Sequence, residues 1–454
     1  MKQRLAEVLH PFYQGKYYPL LVSLLVFVGH STGWDILFFE IMVATFVVGC
    51  LIEKDLRFAL PTVFGVIFLV TPEHSPNVPS YSNYYLQPLP LTFLIIGFGA
   101  ILCGGVIFAI RNRKNTNPVP LKGSFLGLVI LSVALCLNGV LSPNYTLQNL
   151  LFALSFPIIL VGLYWLFARY VHFDREAFDH FMFCLVLAGM QIVCQLLLAY
   201  ATTVQFVDGG IVKESVVLGW AVWTSLGGMQ AFLMPACFYF AATHQRGYLF
   251  YALGLLQFLG VLLSQSRGAM LFGAVTLVLC MALVCFFGKN KKINRIISVS
   301  IIAVGLCGVL VLWNKLLPML QNVFANGLGD NGRFNLWQLG ISQFLAHPIF
   351  GAGFYDSGIV QDWLIEVYPY FYHNTLVQML GSCGIVGIAA YLYHRVSTVR
   401  LTFRKPNLYK STLALCIFTL MAFCLLDVIF FITYPLLFYT LMILFMEKSR
   451  DIES

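Results

Sequence analysis

The sequence predicts an all-α integral membrane protein, a polytopic helical bundle of about 12–14 transmembrane helices with one large extracytoplasmic loop. Three observations carry this expectation. The 454 residues are 59% hydrophobic and only 10% charged, with a mean hydropathy of +0.84. A soluble domain carries about 25% charged residues, so this chain cannot clothe a soluble surface. Its apolar runs reach the roughly 20 residues of a spanning helix and lack the short alternation of outer-membrane barrel strands. Finally, the basic residues between the runs fall almost wholly on alternate sides. A cytosolic enzyme, a secreted disulfide scaffold and a disordered chain are excluded.

Candidate spans read in order at about 17–33, 34–52, 59–71, 91–110, 123–142, 149–168, 181–201, 218–242, 248–266, 268–287, 296–314, 373–394, 411–428 and 430–446. The first is long, shows no small-residue cleavage pattern and reads as a retained span. The third is short; without it a neighbour must also drop out, leaving about twelve. The apolar stretch 248–287 would be about 60 Å long as one helix, twice a bilayer core. It must turn back, and Ser264-Gln265-Ser266-Arg267-Gly268 is the polar break where it can. The stretch 411–446 turns near Asp427 for the same reason.

With both termini in the cytoplasm, cytoplasmic segments hold 23 of the 27 Lys and Arg residues, as the positive-inside rule requires. Lys213, Arg267, Lys315 and Arg333 are the exceptions. The net charge of +8 therefore lines a rim facing anionic lipids, and nucleic-acid binding is not implied. The twelve cysteines lie within or at the ends of spans and form no CxxC pair. They read as small buried hydrophobes, not as disulfides or metal ligands.

The chain divides into a transmembrane bundle of about 11 spans (1–314), an extracytoplasmic loop (315–372), and C-terminal spans with a cytoplasmic tail (373–454). In the loop, apolar residues at 334, 337, 341, 344 and 345 follow helical spacing. They predict an amphipathic helix over about 333–346 in the membrane interface. Pro348 ends it, and Gly351 and Gly353 permit a tight turn.

Each outer cation needs a reason. Arg267 sits in an outer hairpin at the membrane boundary, where an ionisable residue lines a functional cavity, pairs with a carboxylate such as Asp208 or Glu214, or snorkels to headgroups. Its planar donor fork matches phosphate oxygens. His373 opens the twelfth span. There the positive end of the helix dipole favours a neutral imidazole able to accept a proton; the alternative is an inert boundary histidine. Arg333 opens the amphipathic helix, and Lys213 follows the seventh span beside Glu214; solvated surface charges are the plain reading of both. Asp208, Asp330, Asp356, Asp362 and Glu366 are outer carboxylates with no acid/base spacing. No HExxH, DxD, Walker or GxSxG motif is present. Gly381, Gly384 and Gly387 recur every three residues, which reads as close helix packing.

The order of these features, Ser266-Arg267-Gly268, then Arg333 with Trp337, His347-Pro348 with Gly351 and Gly353, and His373-Asn374, resembles the C-terminal region of the O-antigen ligase and O-antigen polymerase superfamily. The resemblance covers roughly 250–395. It implies a bacterial cytoplasmic-membrane glycosyltransferase of the GT-C type that needs no metal or other cofactor. The donor would be an undecaprenyl-pyrophosphate-linked glycan; the acceptor, a glycan or lipid A core hydroxyl; the partners, a flippase and chain-length proteins. It carries the pyrophosphate contact to Arg267, a loop contact to Arg333 and the base to His373. Family members often place a second arginine in the outer loop after the seventh span, where this chain offers only Lys213. The other reading of a 12–14-span chain is a lipid-linked oligosaccharide flippase. Spans nearly free of Lys and Arg, and a sizeable loop only on the outside, weigh against it.

Overall fold

Helices account for nearly all regular structure, and every apolar run of the sequence coincides with a helical segment. The structure, a computed structural model, describes residues 2–69, 88–143, 145–207, 210–311, 313, 332–355 and 371–449. Asp208, Lys315, Asp330, Asp356, Asp362 and Glu366 lie outside them. The first half runs α1 (Lys2–Gln14), α2 (Tyr17–Thr32), α3 (Asp35–Ile52), α4 (Leu60–Leu69), α5 (Pro88–Arg111), α6 (Gly123–Cys136), α7 (Leu147–Phe156), α8 (Tyr164–Tyr170) and α9 (Arg175–Thr202). Then come α10 (Trp223–Leu233), α11 (Pro235–Thr243), α12 (Gly247–Leu263), α13 (Arg267–Phe286), α14 (Lys291–Val311), α15 (Arg333–Ala346), α16 (Thr375–Phe403), α17 (Leu408–Phe423) and α18 (Thr433–Lys448). Among the described residues seven helical segments are long and apolar enough to cross a membrane, and five shorter apolar helices accompany them. The chain is a multi-pass, all-α membrane protein.

Local chemistry explains the irregularities. Between α7 and α8 the helix widens into a π-helical stretch, Pro157–Leu163, where Pro157 brings no backbone donor. Pro235 divides α10 from α11 in the same way. The eighth span starts later than the sequence suggests: Val217–Leu218 pairs with Ala221–Val222 as a tight hairpin, and the helix begins at Trp223. The β-branched Val216 and Val217 favour extended backbone. Trp220 is buried in the hairpin turn, its Nε1–H donating to Gln195 Oε1 at 2.8 Å. Helix α1 was not foreseen. Tyr13 ties it to α3 through the carbonyl of Thr45 (2.8 Å).

The α10–α11 segment forms the centre, with 94% of its most apolar window buried. Glycines 227 and 228 let neighbours close on it: a Cβ at Gly227 would strike Ser264 and Ala269, and one at Gly228 would strike Phe423. Outer helices instead display apolar side chains, such as Ile95 and Leu102 of α5 and Val304 and Leu310 of α14. An apolar exterior of this extent is a surface for lipid.

The loops rich in Lys and Arg gather at one end of the bundle. There α1 meets Glu53 through His10 (2.9 Å) and Gln14 (2.7 Å), Asn112 Nδ2 reaches the Glu53 carbonyl (3.4 Å), and Arg57 pairs with Asp174 (3.2 Å). Burial raises the Asp55 carboxyl to about 6 against the opposing pull of Arg57 and two backbone donors.

Helix α16 is not one rod. Gly384 stands at φ 63°, ψ −157°, a region essentially closed to other residues. The segment 347–355 fills the break. Ala352 and Gly353 donate backbone hydrogen bonds to the carbonyls of Gly381 (2.8 Å) and Ser382 (3.0 Å), and Ile385 donates to that of Pro348 (2.8 Å). Asn138 and Asn149 fix the exit of this segment through the backbone of Phe354 (3.2 Å) and Tyr355 (2.8 Å). Gly351 through Phe354 are buried. Irregular backbone inside an apolar bundle is tolerable because its polar groups are paired within the protein. The glycine repeat therefore does more than thin a helix: Gly381 packs against Tyr372 and Gly340, while Gly384 opens the helix to the inserted segment.

Candidate functional site

The end of the bundle opposite the basic rim carries all four candidate residues. Arg267 is the first residue of α13. The turn before it is built by serines: the Ser264 hydroxyl accepts from the Ser266 N–H (3.3 Å) and donates to the Val261 carbonyl (2.7 Å). Ser266 caps α13 by accepting from Ala269 N–H (3.4 Å). This satisfies donors a helix start would otherwise leave open. Gln265 takes φ 58°, a left-handed conformation costing on the order of 1–3 kcal/mol in a non-glycine residue. Arg267 is exposed, and no hydrogen bond or ion pair occupies it among the described residues. Glu214 does not pair with it.

Lys213 opens a short 3₁₀ turn between two small hairpins. Ser215 pins the turn, donating to the Val212 carbonyl (2.6 Å) and accepting from Gln205 N–H (2.8 Å). The ammonium lies 5.3 Å from the centre of the Trp223 ring, a cation–π arrangement. The lysine is pushed below its ordinary range, first by burial and then by the positive charge of Arg267; Glu214 opposes this and Arg333 adds to it. Arg267 and Arg333, far from Lys213 in sequence, thus lie near enough for their charges to act on it. Like charges gather this way at a cost unless an anion is bound between them.

Arg333 begins α15, after Gly332 in the left-handed region (φ 78°). The helix spans Arg333–Ala346, as its periodicity predicts. It docks on α16 through Gly340, where a Cβ would strike Val377 and crowd Tyr372. Phe334 and Trp337 stack edge to face at 5.2 Å. Phe334, Ile341 and Leu345 stay exposed, as suits a helix resting in the membrane interface.

His373 is the residue most tightly specified by its surroundings. Its φ is 52°, left-handed in a position glycine does not fill. Asn374 caps α16 with both the Leu376 and Val377 N–H groups (2.9 and 3.2 Å), and its own amide donates to the Leu425 carbonyl (2.9 Å). The Thr375 N–H donates to the Cys424 carbonyl (2.9 Å). The His373 Nδ1 lies 3.1 Å from Asp427 Oδ1, with side-chain exposures of 44% and 10%. That difference matters: the carboxylate is sheltered while the ring stays reachable. Asp427 Oδ1 is itself held by the Val428 N–H (2.8 Å). With Nδ1–H donating to the carboxylate, Nε2 keeps its lone pair and can act as an acceptor.

The two halves adjoin. Gly268, next to Arg267, approaches Leu426, next to Asp427; a Cβ there would stand 3.3 Å from the Leu426 side chain. Asp427 is the residue that sequence reasoning missed. It lies 54 positions from His373, and only its solitude could have flagged it: it is the one formal charge between 411 and 446. A cation-lined surface beside an oriented histidine can hold a polyanion and take a proton from a hydroxyl.

Residues 252–392 match the family described as O-antigen ligase. That segment holds Arg267, Arg333 and His373, while Lys213 and Asp427 lie outside it. No curated protein matches the chain. The match covers under a third of the chain, and that segment is similar to the O-antigen ligase family.

Proposed function

We propose that this protein transfers or polymerises a glycan, taking it from an undecaprenyl-pyrophosphate carrier at the outer face of the cytoplasmic membrane and passing it to a sugar hydroxyl. In this reading both termini and the basic rim are cytoplasmic, which the partition of basic residues supports. The convergence of Lys213, Arg267 and Arg333 beside the His373–Asp427 pair carries the reading.

In this reading the three cations hold the pyrophosphate. The acceptor hydroxyl oxygen attacks the anomeric carbon as its proton passes to His373 Nε2. The bond from that carbon to the phosphate oxygen breaks, and the pyrophosphate leaves with the electron pair on its lipid. Attack opposite the leaving group inverts the anomeric centre. A pyrophosphate already leaves well, so the protein has to orient the hydroxyl and stabilise charge on the departing group. The guanidinium forks of Arg267 and Arg333 suit the second task. His373, held by Asp427, suits the first.

Purified protein in nanodiscs, given a lipid-pyrophosphate glycan and an acceptor, tests this. His373→Ala should lose about 10²–10⁴-fold in turnover and still bind donor. Full activity in that variant ends the base assignment. Wild-type protein that folds, moves donor between leaflets and transfers no sugar points to a flippase.

A further inference from the structure

On α16, half-buried Arg395 is a cation that the reaction above does not use. The Arg395 guanidinium lies 4.4 Å from the ring centre of Tyr391, 4.7 Å from that of Phe430 and 5.1 Å from that of Tyr439. Its Nη1 donates to the Tyr439 hydroxyl at 2.7 Å, and His394 Nε2 meets the same hydroxyl at 2.6 Å. Nε and Nη2 are buried without a hydrogen-bond partner, and among the described residues no carboxylate pairs with Arg395. A charge inside a membrane bundle is costly and marks function by default. Packing alone would be met more cheaply by methionine or leucine.

Phe430 shows what this charge holds. It is fully buried and lies three residues beyond Asp427 in the turn joining α17 to α18. That turn is closed by Asp427 N–H to the Phe423 carbonyl (3.1 Å) and Phe431 N–H to the Val428 carbonyl (2.8 Å). The turn is therefore held twice, by His373 just before the cap of α16 on Asp427 and by Arg395 within α16 on Phe430. Because α16 is broken at Gly384, its two halves are not locked by one continuous ladder, and a second grip on the turn fixes their relation.

We propose that Arg395 is a positioning residue of the His373 site: its cation–π contact with Phe430 holds the turn that presents Asp427 to His373. The inference rests on the reading of His373 as the base. A guanidinium suits the role because it binds ring faces in a planar, stacked geometry that an ammonium does not reproduce.

The test uses full-length protein in nanodiscs with a lipid-pyrophosphate glycan and an acceptor. Arg395→Met should lower turnover by about 10²-fold, the loss expected of misplacement on the order of 1 Å, with donor binding unchanged. Arg395→Lys should fall between it and wild type. Phe430→Leu, which keeps the arginine and removes the ring, should reproduce the loss. Combined with Asp427→Asn, Arg395→Met should add nothing, because both act through one contact. Multiplying losses, or equal losses of donor binding and turnover, would reduce Arg395 to a structural residue and overturn the proposal. Full activity in Arg395→Met and Phe430→Leu with an inactive His373→Ala would sink the proposal alone. Full activity in His373→Ala would sink the reading of the site, and the proposal with it.

Discussion

Replacing Asp427 with asparagine changes one atom of the site and isolates what the carboxylate does. The side chain is 10% exposed and sits 3.1 Å from His373 Nδ1, and its Oδ1 also accepts the Val428 N–H. An asparagine can keep that backbone bond with its oxygen, so the turn survives. The same oxygen faces the ring, so what disappears is the charge on a sheltered hydrogen bond, worth at most about 1.5–3 kcal/mol. At about 1.36 kcal/mol per factor of ten, the loss in turnover is at most about 10–10²-fold. An asparagine that turns its NH₂ to the ring favours the wrong tautomer and takes the loss toward 10⁴-fold, the size of effect known for a histidine–aspartate pair in serine proteases. Donor affinity should stay put, since Lys213, Arg267 and Arg333 are untouched. Initial rates over a donor series, with donor binding measured separately on the same preparation, give the two quantities apart. Wild-type turnover in Asp427→Asn would refute the idea that this contact orients the base. A loss confined to donor binding would place Asp427 with the phosphate-holding groups instead.

Arg267→Lys should be nearly as inactive as Arg267→Ala at equal protein level, because the charge remains and the bidentate fork does not; turnover assays on both decide it. Gly384→Ala puts a side chain where φ is 63° and the Ile349 carbonyl oxygen would be 2.5 Å away. A loss of at least about 1–3 kcal/mol from backbone strain alone should appear as a lower unfolding temperature in detergent. Labelling of Gln338→Cys by an impermeant thiol reagent should succeed from outside intact cells; labelling only after the cytoplasmic side is opened would invert the topology. Asp55 gives a pH signature. Its carboxyl is raised from 3.8 to about 6, so the folded state binds the extra proton. Stability falls as pH rises between those values, by at most about 3 kcal/mol. Asp55→Asn should flatten that slope in thermal unfolding measured from pH 4 to 7.

The sequence by itself determined the class and the linear order of the chain. Apolar run lengths fix helices because lipid leaves the backbone no other way to satisfy its polar groups, and each run carries a helix among the described residues. The amphipathic helix at Arg333–Ala346 was legible because its period is local. So was the break at Ser264–Gly268, because an apolar stretch twice the membrane thickness has to turn. Lys213, Arg267, Arg333 and His373 stood out as charges or a titratable group where the composition leaves few. The tertiary structure decided everything that depends on long-range proximity. No spacing joins Lys213 to Arg267 and Arg333, and only the folded chain puts their charges within reach of it. Asp427 reads as a turn residue until His373 is placed 3.1 Å away, and Arg395 reads as one of the cytoplasmic basic residues until three aromatic rings surround it. The fracture of α16 at Gly384 was hidden for the same reason. A glycine repeat fits both a close-packed helix and a broken one, and the choice lies with the segment at 347–355 that supplies the missing hydrogen bonds.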